Sequence, residues 1–119
     1  MVTIRGPRAR RLMGACVLAA LASSAGQDTA AAPPAKPRTH TVVIEGTRFL
    51  PETLTVKAGD TIVWVNKDLF PHSATSAEAK FDSAAIAAGA SWKYTAKKKG
   101  DFGYVCIFHP TMKGRLRVQ

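Results

Sequence analysis

A cysteine, a histidine and a methionine lie close together late in the 119-residue sequence and are its most distinctive chemical feature. Cys106, His109 and Met112 follow one another at C-x-x-H-x-x-M spacing. A thiolate, an imidazole and a thioether form a donor set that suits copper in both oxidation states. Zinc is disfavoured because a structural zinc site would need further cysteines or histidines, and methionine is a poor zinc ligand. The segment therefore predicts three donors of a copper site.

The fourth donor must come from another part of the fold, and His40 and His72 are the histidines that remain. His40 stands at the start of the first predicted strand, where a solvent-exposed histidine is the simpler interpretation. His72 follows a buried apolar run that ends at Val65, and Pro71 fixes the approach of the chain. In a sandwich of two sheets, loops at the same end of both sheets face each other. His72 is therefore the better candidate.

Short strands are predicted on both sides of these donors. The segments are rich in β-branched residues or alternate apolar with polar side chains; they are residues 40–45, 53–57, 61–65, 91–95, 102–106 and 114–118. About seven short strands without a long helical period predict an all-β fold, a sandwich or a barrel. The alanine-rich residues 84–90 predict a loop or a short helix.

The first 25 residues predict a secretory signal peptide. Four arginines within residues 1–11 precede an apolar run, residues 12–22, and small residues follow it. The run is too short to span a bilayer, which takes about 20 apolar residues. Residues 26–38 are rich in alanine and proline, which predicts a flexible leader. Residues 39–119 remain as the folded domain.

The positive charge is ordinary once the predicted signal peptide is set aside. The formal net charge of +9 falls to +5, because 17 − 4 = 13 basic side chains then face 8 acidic ones. We therefore predict neither nucleic-acid binding nor membrane insertion after signal removal.

The lysine run at residues 97–99 predicts a solvated turn rather than an anion-binding patch, since no aromatic or glycine-rich cradle accompanies it. Cys106 is left without a cysteine partner, so a disulfide does not explain its thiol.

Residues 40–119 resemble the small blue copper proteins, the cupredoxins, and most closely their amicyanin and plastocyanin branch. The resemblance rests on Pro51-x-x-Leu-x-Val, on Trp64-x-Asn66 leading to the Pro-His pair at residues 71–72, and on residues 100–114 with the three late donors. The short ligand loop, with Pro110 directly after the second histidine, is similar to that of amicyanin.

The resemblance implies a Greek-key β-sandwich of about seven to eight short strands that holds one type 1 copper per chain. It implies that His72, Cys106 and His109 are strong equatorial ligands, that Met112 is the weak axial one, and that the His109 ring edge is the port for electrons. Ser73 departs from the pattern, because asparagine is often found there and ties the two ligand loops together. A serine side chain is shorter, so whether that tie survives is a question for the structure.

A site of this kind predicts an electron carrier rather than an enzyme, because no coordination position is open to a substrate. We predict a small monomer, periplasmic or otherwise exported, that shuttles single electrons between redox partners by Cu(II)/Cu(I) cycling. An apolar collar around the histidines is predicted from Leu69, Phe70, Pro71, Phe108 and Pro110. Three cations are expected near this collar: Lys67, Lys113 and Arg115. Their positive charge predicts a redox partner with an acidic docking face.

Three other interpretations account for fewer of these residues. A periplasmic copper carrier or buffer would bind the same metal without a redox-shuttle role, but its ligands would more naturally be rich in methionine and histidine and face solvent. A thiol enzyme would pair Cys106 with His109, yet no orienting asparagine or aspartate is evident and Met112 would be idle. A secreted sandwich with a chance cysteine leaves the four donors unexplained.

Overall fold

The computed structural model describes residues 36–119, together with Gly14 and Gly26. The rest of the predicted signal peptide and most of the predicted leader lie outside the described residues. Among the residues described, no helix is long and apolar enough to cross a membrane. The strands are β1 (Thr39–Ile44), β2 (Phe49–Leu50), β3 (Thr53–Val56), β4 (Thr61–Asn66), β5 (Thr75–Ser76), β6 (Phe81–Asp82), β7 (Ser91–Thr95), β8 (Gly100–Cys106) and β9 (His109–Val118).

These strands form two mixed sheets, which confirms the predicted all-β sandwich. One sheet has the order β2-β1-β4-β7 and the other β3-β9-β8-β5-β6. The pairs β1 with β4 and β3 with β9 are parallel, and the remaining pairs are antiparallel. Nine strands are described rather than seven to eight, because β2, β5 and β6 have two residues each and are too short to show a period. Residues 84–90 form a loop.

Alternation along the long strands places one face of each in the core. Ile62, Trp64 and Asn66 are the buried residues of β4, while Leu116 and Val118 are buried on β9. The Trp64 ring centroid lies 5.5 Å from those of Phe81 and Tyr104 and 5.6 Å from that of Trp92. Aromatic rings at such separations pack favourably beyond the area that they bury. This cluster fixes β4, the strand that leads into the His72 loop.

The register of β8 against β9 sets the geometry of the short ligand loop. Tyr104 pairs with Gly114, and a Cβ at Gly114 would overlap the Tyr104 ring. The absence of a side chain there lets the buried ring approach β9 closely. A register shift follows between Val105 and Cys106, so that Cys106 pairs with His109. A shift of this kind re-aims a side chain, and here it brings two predicted ligands face to face.

Asp60 joins three segments at the opposite end of the sandwich. Its buried carboxylate accepts hydrogen bonds from the backbone N–H of Arg38 at 2.9 Å and of Lys57 at 3.0 Å, and it lies 2.9 Å from His40 Nε2. The Arg38 N–H first, then His40 and the Lys57 N–H, lower the pKa of Asp60 to about 2. His40 is thus half-buried and bonded, rather than fully exposed as expected.

We predict that the protein loses stability in acid partly through Asp60. A folded-state pKa of about 2 against an ordinary 3.8 means that the ionised group stabilises the fold above about pH 4, and that this contribution disappears as the pH falls towards 2. Asp60→Asn should therefore be less stable than wild type at pH 7, and the difference should shrink on acidification. Urea unfolding at a series of pH values measures this. Glu78→Gln, an exposed substitution, is the control, and a pH-independent difference for Asp60→Asn would contradict the assignment.

Candidate metal centre

Three of the predicted ligands are brought together at one end of the sandwich. β8 ends at Cys106, two residues turn the chain, and β9 begins at His109. His72 enters from the other side, on the loop that follows β4, and a bridge to Ile86 fixes its backbone. Cys106 and His72 are fully buried, whereas His109 is half-exposed. The expectation that two loops face each other at this end is met.

The spacing of the donor atoms fits a single ion. Cys106 Sγ lies 3.7 Å from His72 Nδ1 and 3.8 Å from His109 Nδ1, and all three donors lie within 4.8 Å of one another. Metal–nitrogen and metal–sulfur bonds of about 2.0 and 2.3 Å, arranged trigonally, would separate nitrogen from sulfur by about 3.7 Å. The chain therefore has a site suited to one copper ion.

Met112 is buried in the same part of the fold. It lies on β9 three residues after His109 and is 3% exposed. Its side chain is on the inward face of the strand, the face that it shares with Leu116 and Val118. A buried thioether at this position is compatible with the weak axial ligand that the resemblance implied.

Ser73 does tie the two ligand loops together, despite its short side chain. Its backbone N–H donates to Cys106 Sγ at 3.3 Å, and its Oγ accepts the N–H of Ile107 at 2.9 Å. The same hydroxyl lies 3.0 Å from Thr75 Oγ1, which in turn donates to Asp82 Oδ1 at 3.1 Å. A chain of hydrogen bonds thus orients the serine, so that it holds the loop between Cys106 and His109.

Asp68 is a positioning residue that sequence reasoning missed. Its Oδ2 lies 2.7 Å from His72 Nε2, so the carboxylate accepts a hydrogen bond from the Nε2–H, and Nδ1 is the ring nitrogen directed at Cys106. The backbone N–H groups of Thr47 and Gly46 also donate to this carboxylate, at 2.9 and 2.8 Å. The Thr47 bond, followed by those of Gly46 and His72, lowers the Asp68 pKa, while burial opposes the shift. An aspartate four residues before a candidate ligand histidine was the available signal.

Asn66 shapes the loop between β4 and His72. Its buried side-chain amide donates to the carbonyl oxygens of Phe70 and Ile86, both at 2.9 Å, and its Oδ1 accepts the N–H of Asp68 at 3.0 Å. A buried amide with all of these partners is a rigid element, because an unpaired polar group there would cost free energy. Asn66 therefore positions Asp68 and, through it, His72.

An apolar surface surrounds the half-exposed His109. We call it the apolar collar: Leu69, Phe70, Pro71, Ile107, Phe108 and Pro110, all of them exposed. Leu69 is 93% and Phe108 48% exposed, and the Phe70 ring lies 4.9 Å from the His72 ring and 5.7 Å from the His109 ring. Phe70 and Phe108 are thus not confined to packing the end of the sandwich. Exposed apolar residues grouped beside a candidate ligand are typical of an interaction surface.

Two mixed β-sheets with a His-Cys-His cluster at one end define the cupredoxin class. A family model described as a cupredoxin-like domain matches residues 12–118, so the chain belongs to the cupredoxin family. The chain is 28% identical to amicyanin from Paracoccus denitrificans over 130 residues, with 98% of this chain and 99% of that protein covered. It is 37% identical to plastocyanin from Scenedesmus fuscus over 84 residues, with 60% of this chain and 86% of that protein covered.

A solved structure supports the same grouping. The purple cupredoxin from Nitrosopumilus maritimus superposes with a TM-score of 0.62 at 26% identity, over 67% of this chain and 99% of that one. The resemblance inferred from sequence motifs is therefore confirmed.

We predict that Ser73→Ala destabilises the metal-free protein. The substitution leaves the Ile107 N–H without its acceptor and removes one of the two hydrogen bonds of the Thr75 hydroxyl, so the free energy of unfolding should fall by about 1 to 3 kcal/mol. Denaturant unfolding of the apoprotein measures the change. Thr75→Val should cost less because it keeps the bond to Ile107, and Ser91→Ala, at an exposed strand end, should be neutral. Equal stability of Ser73→Ala and Ser91→Ala would refute the role of the tie.

Proposed function

We propose that the protein is an exported, monomeric type 1 copper protein that carries single electrons between redox partners. His72, Cys106, His109 and Met112 are the proposed ligands. The observation that supports this most directly is the trigonal spacing of two imidazole nitrogens around a buried cysteine sulfur, at 3.7 and 3.8 Å. A copper ion held there would supply one-electron chemistry by changing between Cu(II) and Cu(I). The chain is similar to amicyanin and plastocyanin, and this similarity supports the same proposal.

The residues around the donors keep their positions without help from a substrate. Ser73 holds Cys106 and the loop after it, while Asp68 holds the ring of His72. Since Cys106 and His72 have no exposed surface, water and small molecules are kept from them. A rigid, dry donor set suits electron transfer, because little structure need move as the charge changes. It does not suit an oxidase or a reductase that binds its substrate at the metal.

His109 is the proposed port for electrons. It is the half-exposed member of the donor cluster, and the apolar collar surrounds it. A partner that buries the collar would bring its own redox centre close to the His109 ring. Redox encounters use small interfaces, often below about 1,200 Å², which allow rapid association and release.

The proposed partner has an acidic docking face. Lys67, which directly follows β4, and Lys113, on β9, are both exposed and lie within three residues of members of the collar in the sequence. Arg115, the third cation expected there, is instead paired with Asp101 at 2.8 Å. Two free lysines beside an apolar patch favour steering of an acidic surface towards it.

Export is proposed from the sequence of residues 1–25, which has the order of a signal peptide. An exported protein with one cysteine in its folded part has no internal disulfide partner, which leaves Cys106 available as a metal ligand. A periplasmic or equivalent location is thus consistent with the donor set.

The decisive experiment is spectroscopy and voltammetry of the copper-loaded protein. We expect an intense visible absorption from the Cys106 thiolate and reversible one-electron reduction, both absent from Cys106→Ser. Thr111→Ser, an exposed change in the same strand, should leave both intact. A colourless copper complex without reversible reduction would favour the copper-carrier alternative and reject the electron-transfer proposal.

We predict that Pro110→Ala raises the reduction potential. Cys106 Sγ accepts one backbone N–H, from Ser73, and Pro110 has none to offer. An alanine there supplies a second N–H near the sulfur, which withdraws charge from the thiolate and favours the reduced state. The expected rise is tens of millivolts, since about 1.4 kcal/mol corresponds to about 59 mV for one electron. Voltammetry with Thr111→Ala as the control checks this, and an unchanged or lower potential would count against it.

We also predict that association with an acidic redox partner slows as salt is added. Raising the ionic strength from about 0.1 to 1 M shortens the Debye length from about 10 to 3 Å and removes steering. Lys67→Gln/Lys113→Gln should reduce both the rate at low salt and its salt dependence. Stopped-flow electron transfer measures both, with Lys93→Gln on the exposed face of β7 as the control. Rates that do not fall with salt would exclude an acidic docking face.

A further inference from the structure

The end of the sandwich opposite the candidate metal centre gathers cations from three separate segments. We call this end the cationic pole: residues 36–39, 57–61 and 95–100. β1, β4 and β8 begin there, while β3 and β7 end there. Since β4 and β8 both run from this pole towards the ligand loops, the two ends are separated by the full length of the strands. The pole has no part in the proposed metal site.

Backbone hydrogen bonds hold the three segments together. The N–H of Gly59 donates to the carbonyl of Ala96 at 2.6 Å, and the N–H of Thr61 donates to the carbonyl of Arg38 at 2.9 Å. The cations that these segments present are all exposed: Lys36, Arg38, Lys57, Lys97, Lys98 and Lys99. The lysine run forms the solvated turn that its sequence predicted. In the fold it is one part of a surface with six cations.

The side-chain carboxylates near this surface are already engaged. Asp60 is buried and accepts hydrogen bonds from two backbone N–H groups as well as pairing with His40. Asp101 lies 2.8 Å from Arg115 and 3.4 Å from Arg117. Within the three segments of the pole, as the structure describes them, no other acidic residue is present. The cations are therefore free to bind an external anion.

A cleft in the pole offers room for such an anion. Its volume is about 430 Å³, and its lining includes Lys36, Arg38, His40, Lys57 and Gln119, with Asp60 beneath them. Three cations from two segments converge on it, and the one acidic side chain in its lining, Asp60, is already hydrogen-bonded. A phosphate-bearing headgroup is of a size and charge that this cleft can accept, while Lys97, Lys98 and Lys99 lie on the neighbouring turn.

The residue types of the pole favour one class of anionic partner over others. The exposed large hydrophobic residues of the described chain are Leu50, Leu69, Phe70, Ile107 and Phe108, and all lie outside the pole. Protein interfaces are depleted in lysine and centre on aromatic or arginine anchors, which are absent from these segments except for Arg38. Single-stranded nucleic acid would need aromatic platforms for stacking. Clustered lysines without an apolar centre instead favour an anionic lipid surface.

We propose that the cationic pole binds the surface of membranes that contain anionic phospholipids. β9 runs nine residue steps from His109 towards the pole, or about 30 Å at about 3.3 Å per residue. A protein bound through the pole would present the apolar collar away from the membrane, free to meet a redox partner. Membrane binding is independent of the metal, so its failure would leave the electron-transfer proposal untouched.

The test compares two triple variants of the exported protein, with the N-terminus of each verified by mass spectrometry. Lys97→Gln/Lys98→Gln/Lys99→Gln removes three charges from the pole. Lys67→Gln/Lys93→Gln/Lys113→Gln removes three exposed charges from elsewhere and is the matched control. Binding is measured by co-sedimentation with phosphatidylcholine vesicles, with and without about one third phosphatidylglycerol, at low and high salt. Thermal unfolding confirms that both variants are folded.

We expect binding that requires phosphatidylglycerol and weakens with salt. The pole variant should bind at least tenfold more weakly, since each lysine near an anionic surface strengthens binding about fivefold, whereas the control should change less than about twofold. When the wild-type protein is treated with an acetylating reagent, bound vesicles should protect Lys57 and Lys97, Lys98 and Lys99 from modification but should not protect Lys67. Equal losses in both variants would reduce the effect to net charge and overturn the proposal. Binding to polyglutamate but not to vesicles would show that the pole binds an acidic polypeptide, and this would also overturn the membrane proposal.

Discussion

The hydrogen bonds of Ser73 are the constraint on which the candidate metal centre depends. Two loops from different sheets must meet with a precision of a few tenths of an ångström for three donors to share one ion. Ser73 supplies a donor to Cys106 Sγ and an acceptor to Ile107 N–H, so the loop of His72 is fixed to the loop of Cys106. Because the bond to Cys106 is buried and the bond to Ile107 is partly buried, breaking them leaves polar atoms unpaired, which costs free energy.

The donors themselves were predictable because their chemistry is local. Cys106 and His109 are three residues apart, so a tight turn brings them together in almost any β-hairpin, and His72 was selected by the buried strand before it. The long strands were equally visible, since β4 alternates between buried and half-buried residues along its whole length. The parallel pairing of β1 with β4, and of β3 with β9, has no such signal, because a period of two shows which face is buried and not which strand is the neighbour.

The contacts that position the donors are set by the tertiary fold, so the sequence left the role of Ser73 open and did not reveal that of Asp68. Ser73 reaches Ile107 despite its short side chain, since β5 pairs with β8 at Thr75 and Val105 and draws the two backbones together. Side-chain length alone left that tie an open question. Asp68 shares the loop of His72, yet its role also requires the N–H groups of Gly46 and Thr47 after β1, which the parallel β1–β4 pair places nearby. Register therefore decides which polar residues become partners.

The two ends of the sandwich are physically independent, which allows one small domain to hold two surfaces of different character. The buried Trp64 cluster lies between them, and within residues 36–119 the groups at one end share no hydrogen bond with those at the other. Substitutions at distant sites without shared partners have additive effects. The charges of the cationic pole can thus change without altering the donor spacing, and the apolar collar can change without altering the pole. The lysine run at residues 97–99 predicts no binding site by itself. It becomes part of a larger cationic surface because the strands bring the segments of Arg38 and Lys57 beside it.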